Sequence, residues 1–506
     1  MKIRRLFAIW TAKLISTVCK LSGRQGVTLA GKAALKLDPT ILSGLASQVR
    51  EKIFVVCGTN GKTTTNNLLC SAIEAEGRKL VCNRTGSNML QGVAAAFVLA
   101  AKWNGRLDAD YACLEVDEAS TLHIFPHLKP DYMVLTNLFR DQLDRYGEID
   151  ITMDMLDRAM KMVPDMTVVV NGDDPLSTYL AEAGENPYLT FGITEQSIGR
   201  QKKMSDVGTA KKNDSALEER AAFNDNCADQ ESSSNQSEQV SHEVRDGSFC
   251  KKCGARLDYD FYHYGQIGMY HCSACDFKRP EVDFEARKID MRQGLAFEVL
   301  RNEWGRKRGD EEKATEYISV NYRGFYNIYN ILAAYSVLKA AGVNMSHFVQ
   351  ALQEFHPQNG RMETFTIDGC RIILNLAKNP AGFNQNIEAV LEDKSEKDII
   401  IAINDNAADG TDVSWLWDVD FDQMEDPSIQ SITTCGIRYL DMQLRLKYVD
   451  IEAKAVADIK SAIEAKVTEG SKNLYVLVNY TALFSTRKIL VELQKGKVGK
   501  RCDKLS

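Results

Sequence analysis

Lys62 and Thr63 are the residues of this chain best equipped for chemistry, because of what precedes them. Residues 53–57 (Ile-Phe-Val-Val-Cys) form a short apolar, β-branched run that reads as a buried strand. The chain then passes through Gly58-Thr59-Asn60-Gly61-Lys62-Thr63-Thr64 into a helical pattern carried by Leu68, Leu69, Ala72 and Ile73. A glycine turn between a strand and a helix start converges backbone N–H groups on one point, and the helix dipole adds positive potential there. Such a turn binds phosphate. Lys62 would neutralise β- and γ-phosphate oxygens, and the Thr63 hydroxyl would hold Mg²⁺. Val56 stands where the longer form of this loop has its first glycine, so the loop is the compact Gly-x-x-Gly-Lys-Thr kind.

Two further clusters have the residue types for metal binding. Cys250-x-x-Cys253 and Cys272-x-x-Cys275 are separated by 18 residues, the spacing of a four-thiolate zinc ribbon. Four thiolates leave no open coordination position, so that zinc is structural. Tyr259, Phe261, Tyr262, Tyr264 and Tyr270 predict short strands around the knuckles. Glu115 ends the apolar run 111–114 and would project at the catalytic edge of a sheet as a Mg²⁺ ligand beside Thr63. Asp117 and Glu118 are close enough to compete for that role.

The surrounding elements are those of a doubly wound α/β fold. Apolar strands at 53–57, 80–82, 111–116, 132–136 and 167–170 alternate with helical stretches such as 91–102 and 151–162, which predicts a mostly parallel sheet. Residues 196–247 are rich in Ser, Asn, Asp, Glu, Gln and Lys, and read as a disordered insertion that includes Cys227. Strands resume at 284–320. A second α/β set follows, with strands near 371–374, 399–403, 431–435 and 473–478. The domain plan is an N-terminal helical segment (1–48), a central nucleotide-binding domain (49–195 and 284–357), the insertion (196–247), the ribbon (248–283) and a Rossmann-like C-terminal domain (358–506).

Composition narrows the class. The chain has 506 residues, 44% hydrophobic and 26% charged, which is ordinary for a protein of two to four domains. A net charge of −7 argues against nucleic acid as the main partner. Of the 13 cysteines, Cys19, Cys57, Cys70, Cys82, Cys113, Cys370 and Cys435 sit in apolar surroundings, as reduced thiols of a cytoplasmic protein do. No apolar run reaches spanning length. Near the N-terminus Ile3, Leu6, Phe7, Trp10, Leu14, Val18 and Leu21 fall at helical spacing among Lys2, Arg4 and Arg5. Two readings stand: a helix packed on its own domain, or a basic amphipathic helix resting on a membrane surface.

Residues 58–65, Glu115, Thr136-Asn137-Leu138 with Asp141, Leu143 and Asp144, Asn171 with Asp173-Asp174-Pro175, Asn327-x-x-Asn330 and Gly360-Arg361 stand in the order seen in Mur ligases, and the chain resembles that family. The shrunken N-terminal domain, the ribbon and the segment from Asn404 to Asp418 make it most similar to the MurT type, the ligase-like subunits of lipid II isoglutaminyl synthase. The resemblance implies an ATP-dependent ligase that amidates the D-glutamate α-carboxyl of the lipid II stem peptide to D-isoglutamine. An acyl phosphate is the intermediate, and ammonia comes from a glutaminase partner of the GatD type. It implies that Asn327 and Asn330 lie near adenine, although Asn327 could equally cap a helix, and that Arg361 and Lys378 reach phosphates. It implies that an aspartate of the C-terminal motif completes the partner's catalytic triad: Asp412 first, then Asp409, then Asp405. Trp415 and Trp417 alternate as core residues of a strand would. Gln142 replaces the family's usual histidine, and Leu376 the usual ribose-contacting aspartate. The alternatives are another amide ligase of the Mur or folylpolyglutamate type, and a nucleic-acid-binding ATPase.

Overall fold

The computed structural model describes residues 2–22, 26–84, 87–140, 149–194, 246–292, 294–302, 315–321, 323–355 and 362–502. The insertion up to residue 245, Asp141, Gln142, Leu143, Asp144, Gly360 and Arg361 therefore lie outside the described residues.

Strands β1 (Lys52–Cys57), β2 (Leu80–Cys82), β3 (Tyr111–Glu115), β4 (Tyr132–Leu135), β5 (Thr167–Asn171) and β6 (Tyr188–Ile193) are followed by β7 (Leu257–Tyr264) and β8 (Ile267–Cys272), which pair only with each other. Then come β9 (Phe284–Asp290), β10 (Leu295–Arg301) and β11 (Thr315–Val320). The large sheet runs β11-β10-β9-β6-β5-β4-β1-β3-β2. It is parallel from β2 to β9, and β10 and β11 add an antiparallel edge. Alternation in β1 sends Ile53, Val55 and Cys57 to one apolar core and Phe54 and Val56 to the other. Both faces are covered, as a parallel strand requires. The helices Lys62–Ala75 and Tyr326–Ala340 fill one side.

The described residues up to 46 form three helices, Lys2–Leu21, Val27–Leu37 and Ile41–Ala46. Their Ala8, Ile9, Ala12, Ala34 and Leu42 enter the same core as Ile53 and Val55, so this segment is built onto the central sheet.

The C-terminal domain holds β12 (Glu363–Ile367), β13 (Cys370–Leu376), β14 (Lys397–Ala402), β15 (Ile429–Cys435), β16 (Lys454–Ala455) and β17 (Asn473–Val478) in the order β12-β13-β17-β14-β15-β16. Ile399 and Ile401 serve one core and Ile400 and Ala402 the other. Only β12 is antiparallel. The Trp415–Trp417 stretch is not a strand. Residues Ser414–Asp418 form a 3₁₀ turn, with Trp415 half-buried and Trp417 51% exposed. Alternation cannot distinguish a strand from a tight turn over so few residues.

Candidate nucleotide site and its flanking centres

The loop after β1 lies at the carboxyl edge of the sheet, where β1 is flanked by β4 and β3. Gly58 has φ +116° and Gly61, which precedes the helix Lys62–Ala75, has φ +85°. Both values favour glycine. A Cβ on Gly58 would come within 2.3 Å of Thr136 Oγ1, and one on Gly61 within 2.2 Å of Asn330 Oδ1. The segment after β4 clamps the loop. Thr136 Oγ1 donates to Asn60 O at 2.6 Å, the Asn60 N–H donates to Asn137 Oδ1 at 3.0 Å, and the Thr59 hydroxyl donates to Phe139 O at 2.9 Å. The Thr136-Asn137 motif is thus the loop's outer wall.

Lys62 is buried and donates to Gly58 O and, at 2.9 Å, to Glu118 Oε1. Glu115, Asp117 and Glu118 are all buried, bringing three carboxylates to the end of β3. The competition left open by sequence is resolved in part by geometry: Glu118 pairs with Lys62, while Glu115 Oε1 accepts from Asn88 Nδ2 at 3.1 Å. Burial pushes the Glu118 carboxyl up, Lys62 pulls it down, and Asp117 pushes it up again. Asn83 fixes the backbone of Glu115 from both sides, accepting its N–H at 2.9 Å and donating to its carbonyl at 2.8 Å. Carboxylate oxygens are the kind of hard donor Mg²⁺ takes, and Glu115 is the one of the three that ends β3 itself.

Asn327 and Asn330 share one helix face. Asn330 Nδ2 donates to Asn327 Oδ1 at 3.1 Å, and Thr65 Oγ1 donates to Asn330 Oδ1 at 3.4 Å. Asn327 is not a cap: Phe325 occupies the N-cap position, and the Asn327 amide donates back to Arg323 O at 2.7 Å. Both asparagines line a cleft of about 840 Å³, open mouth included, between the two domains. Asn60, Gly61 and Thr64 form its floor, and Leu376, Lys378, Asn375 and Asn386 its far wall. Asn379 Nδ2 reaches Asn60 Oδ1 at 3.3 Å across the domain boundary.

Asn171, Asp173 and Asp174 bind other parts of the chain. Asp174 Oδ2 accepts the Leu138 N–H at 2.8 Å, and its Oδ1 accepts Gln266 Nε2 at 2.8 Å. Asp173 accepts from Ile193 N, Tyr329 OH and Arg279 Nε, each at 2.7 Å. The Asn171 amide donates to Thr136 O at 3.3 Å.

The sulfurs of Cys250, Cys253, Cys272 and Cys275 lie within 4.8 Å of one another, with 3.6 Å from Cys250 to Cys275 and 3.5 Å from Cys253 to Cys272. Four thiolates about 2.3 Å from a common tetrahedral centre have such spacings, so the donors fit zinc. The Ala274 N–H holds the Cys272 thiol down at about 7. The hairpin beyond the knuckles is inserted into the central domain. Gln266 Nε2 donates to Leu138 O at 2.6 Å, His263 stacks on Phe325 at 5.3 Å, and Tyr264 lines the nucleotide cleft. Sequence reasoning missed Tyr264 and Gln266, because their contacts are made with residues distant in the chain, Leu138 lying 128 residues from Gln266.

The C-terminal loop separates its three aspartates. Asp405 is ion-paired with Arg438 at 2.7 Å. Asp409 is buried and accepts the Thr481 N–H at 2.7 Å and the Thr481 hydroxyl, which anchors the start of the helix Tyr480–Cys502. Burial pushes its carboxyl up against those lowering hydrogen bonds. Asp412 is exposed, held by the Ser414 N–H at 2.8 Å, and its carboxyl lies below the usual range because of that bond.

Residues 56–222 match the Mur ligase middle domain family, and residues 376–483 match the MurT ligase C-terminal family. The chain is 32% identical over 483 residues to the lipid II isoglutaminyl synthase (glutamine-hydrolyzing) subunit MurT of Staphylococcus aureus (strain COL), covering 95% of this chain and 96% of that one. It belongs to the MurT family. The MurT subunit of Streptococcus pneumoniae (strain ATCC BAA-255 / R6) is likewise 32% identical, over 93% of each chain. The MurT C-terminal match contains Lys378, Asp405, Asp409 and Asp412, and the middle-domain match contains the glycine loop and Glu115. Asn327, Asn330 and Arg361 fall between the two. Among solved structures, a pseudomurein peptide ligase type C from Methanothermus fervidus superposes with a TM-score of 0.63 at 16% identity, covering 89% of this chain and 80% of that one. MurF ligase from Thermotoga maritima in complex with ADP gives 0.58 at 13%, covering 93% and 85%. Both show the shared Mur ligase fold. No described helix is long and apolar enough to cross a membrane.

Proposed function

We propose that this MurT-family chain is the ATP-dependent ligase subunit that amidates the D-glutamate α-carboxyl of lipid II to D-isoglutamine at the inner face of the membrane. The observation that carries this reading is the 32% identity, end to end, to subunits named for that activity. In the first step a carboxylate oxygen of the acceptor takes the γ-phosphoryl of ATP, giving an acyl phosphate and ADP. In the second, ammonia attacks the acyl carbon, the bond to the phosphate oxygen breaks, and a proton leaves the nitrogen.

The chain's own groups divide this work. Backbone N–H groups at the helix start, Gly61, Lys62 and Thr63, would cradle the phosphates. Lys62 is paired inside the loop with Glu118, where triphosphate oxygens can claim it. Thr63 and Glu115, with Asp117 and Glu118 close by, would hold Mg²⁺, which neutralises charge on the transferring group when bound. Asn327 and Asn330 present carboxamides to a purine edge. Asn375 and Asn386 stand beside Leu376 and offer the polar contacts to ribose that the family's aspartate would have supplied. Lys378 and Arg361 complete the phosphate contacts from the C-terminal domain. The four cysteines would hold Zn²⁺ in a purely structural role.

Nitrogen would come from a separate glutaminase of the GatD type. Asp412 is the aspartate presented to a partner, and it would orient that partner's catalytic histidine and fix its tautomer. Nearby, Ile437, Leu440, Leu444, Tyr448 and Trp417 are exposed apolar groups suited to an interface. The test is the purified two-protein complex with ATP, glutamine and lipid II, followed by mass spectrometry of the stem peptide. A new α-carboxamide supports the reading. An added amino acid would make this a peptide-extending ligase instead.

A further inference from the structure

The helix Lys2–Leu21 has two apolar faces, and among the described residues only one is packed into the fold. Ala8, Ile9, Ala12 and Ser16 are buried against the central domain. On the opposite side Ile3, Phe7, Trp10, Leu14, Val18 and Leu21 fall within an arc of about 80° at ~100° per residue. These six side chains are between 42% and 84% exposed. Small residues do the internal packing, and large ones face outward, the reverse of a helix that serves only its own core. Phe7 meets Trp10 edge-on at 5.7 Å, and Trp10 Nε1 donates to the carbonyl of Trp103, itself 63% exposed. Amphipathic aromatic rings of this kind favour the boundary between water and lipid.

Charge identifies what covers this face. Residues 1–37 hold eight Lys and Arg and no Asp or Glu, whereas the whole chain has net charge −7, so the remainder carries −15. Arg4 and Lys20 flank the apolar arc and are exposed. On the next helix, Val27–Leu37, Leu29, Lys32 and Lys36 are exposed at the same helical spacing. A second copy of this chain would oppose like charge with like charge. An anionic lipid surface complements both the charge and the apolar stripe.

We infer that the helix Lys2–Leu21 is a docking face for an anionic lipid bilayer, lying in the headgroup plane with Ile3, Phe7, Leu14 and Val18 among the acyl chains. The inference deepens the proposed function and rests on it in one respect: a lipid-linked acceptor is met at such a surface. The test is co-sedimentation of the full two-protein complex with phosphatidylcholine vesicles, with and without phosphatidylglycerol. The complex should bind the anionic vesicles, and bind pure phosphatidylcholine at least ~tenfold more weakly. Phe7→Ser combined with Leu14→Ser should lower vesicle affinity by about tenfold or more. Thermal melting and amidation of a water-soluble stem-peptide acceptor should be unchanged, because both side chains face away from the core. Equal binding by the double variant, no binding to anionic vesicles, or a dimer in solution that the double variant makes monomeric would each overturn the inference. Loss of amidation of the soluble acceptor by the unaltered complex would instead count against the proposed function and leave the docking result standing.

Discussion

In the proposed function the glycine loop at 58–63 and the aspartate loop at 405–418 would each supply a charged group to a reaction, and they hold it in opposite ways. Lys62 is buried, its loop fixed by Thr136, Asn137 and Phe139, and its charge already matched by Glu118. Asp412 is exposed and held by one short-range turn, while its neighbour Asp409 is buried to anchor a helix. A site that must grip a small, diffusible polyphosphate has to be complete within one chain. A carboxylate that serves another chain has to remain on the surface until that chain arrives. The two regions are joined directly, since Arg140 follows the wall of the glycine loop and pairs with Asp418 at 2.6 Å.

The sharpest way to break this comparison is Asp412→Asn, which keeps the shape and removes the charge. Glutamine hydrolysis by the complex should fall roughly 10²–10⁴-fold, by analogy with loss of an orienting carboxylate in other triads. Nucleotide binding by this chain should be unaffected. Asp409→Asn should do the reverse, lowering the melting temperature while leaving the exposed loop able to serve its partner. If the two variants exchanged phenotypes, Asp409 would be the triad residue and burial a poor guide.

A smaller effect is expected at the other loop. Gly58→Ala places a Cβ against Thr136 Oγ1 on a residue with φ +116°, so the phosphate cradle must shift. Displacing a catalytic cradle by about an ångström costs on the order of 10²-fold in turnover, with destabilisation of about 1–3 kcal/mol. ATP-dependent amidation read beside glutamine hydrolysis would show the first reduced and the second preserved.

Removing zinc from the proposed four-cysteine centre should have the mildest effect on the chemistry. A chelator should lower the melting temperature through the ribbon. It should also weaken nucleotide binding several-fold by freeing Tyr264 and Gln266, which reach the cleft and its Leu138 support. A calorimetric titration with ADP, with and without chelator, reads that coupling. Unchanged affinity would make the ribbon a staple of its own loop alone.

These contrasts also explain what could be read before the structure was seen. Five β-branched or apolar residues ahead of Gly58 and the Lys62-Thr63 pair carry a local signal, and so does the cysteine spacing at 250–275, because each depends only on neighbours in sequence. The partner of Lys62 was less legible. Glu115, Asp117 and Glu118 are chemically alike and all buried, and the 3₁₀ turn Glu118–Ser120 sets the third one against Lys62. Trp417 is apolar yet exposed, since a short turn presents it to solvent beside Tyr448. The difference between Asp409 and Asp412 lay beyond local reading, because it is set by Thr481, more than seventy residues away. Asn327 could be read as a cap, and only the position of Phe325 shows that it stands inside the helix.

The central claim is that phosphoryl transfer to the acceptor belongs to this chain and depends on Lys62. Its most direct measurement is amide formation by the purified two-protein complex carrying Lys62→Ala, with ATP, ammonium salt in place of glutamine, and the stem-peptide acceptor. The account predicts a loss of about 10³-fold or more, with the partner's glutamine hydrolysis intact. Undiminished carboxamide formation by that variant would contradict it.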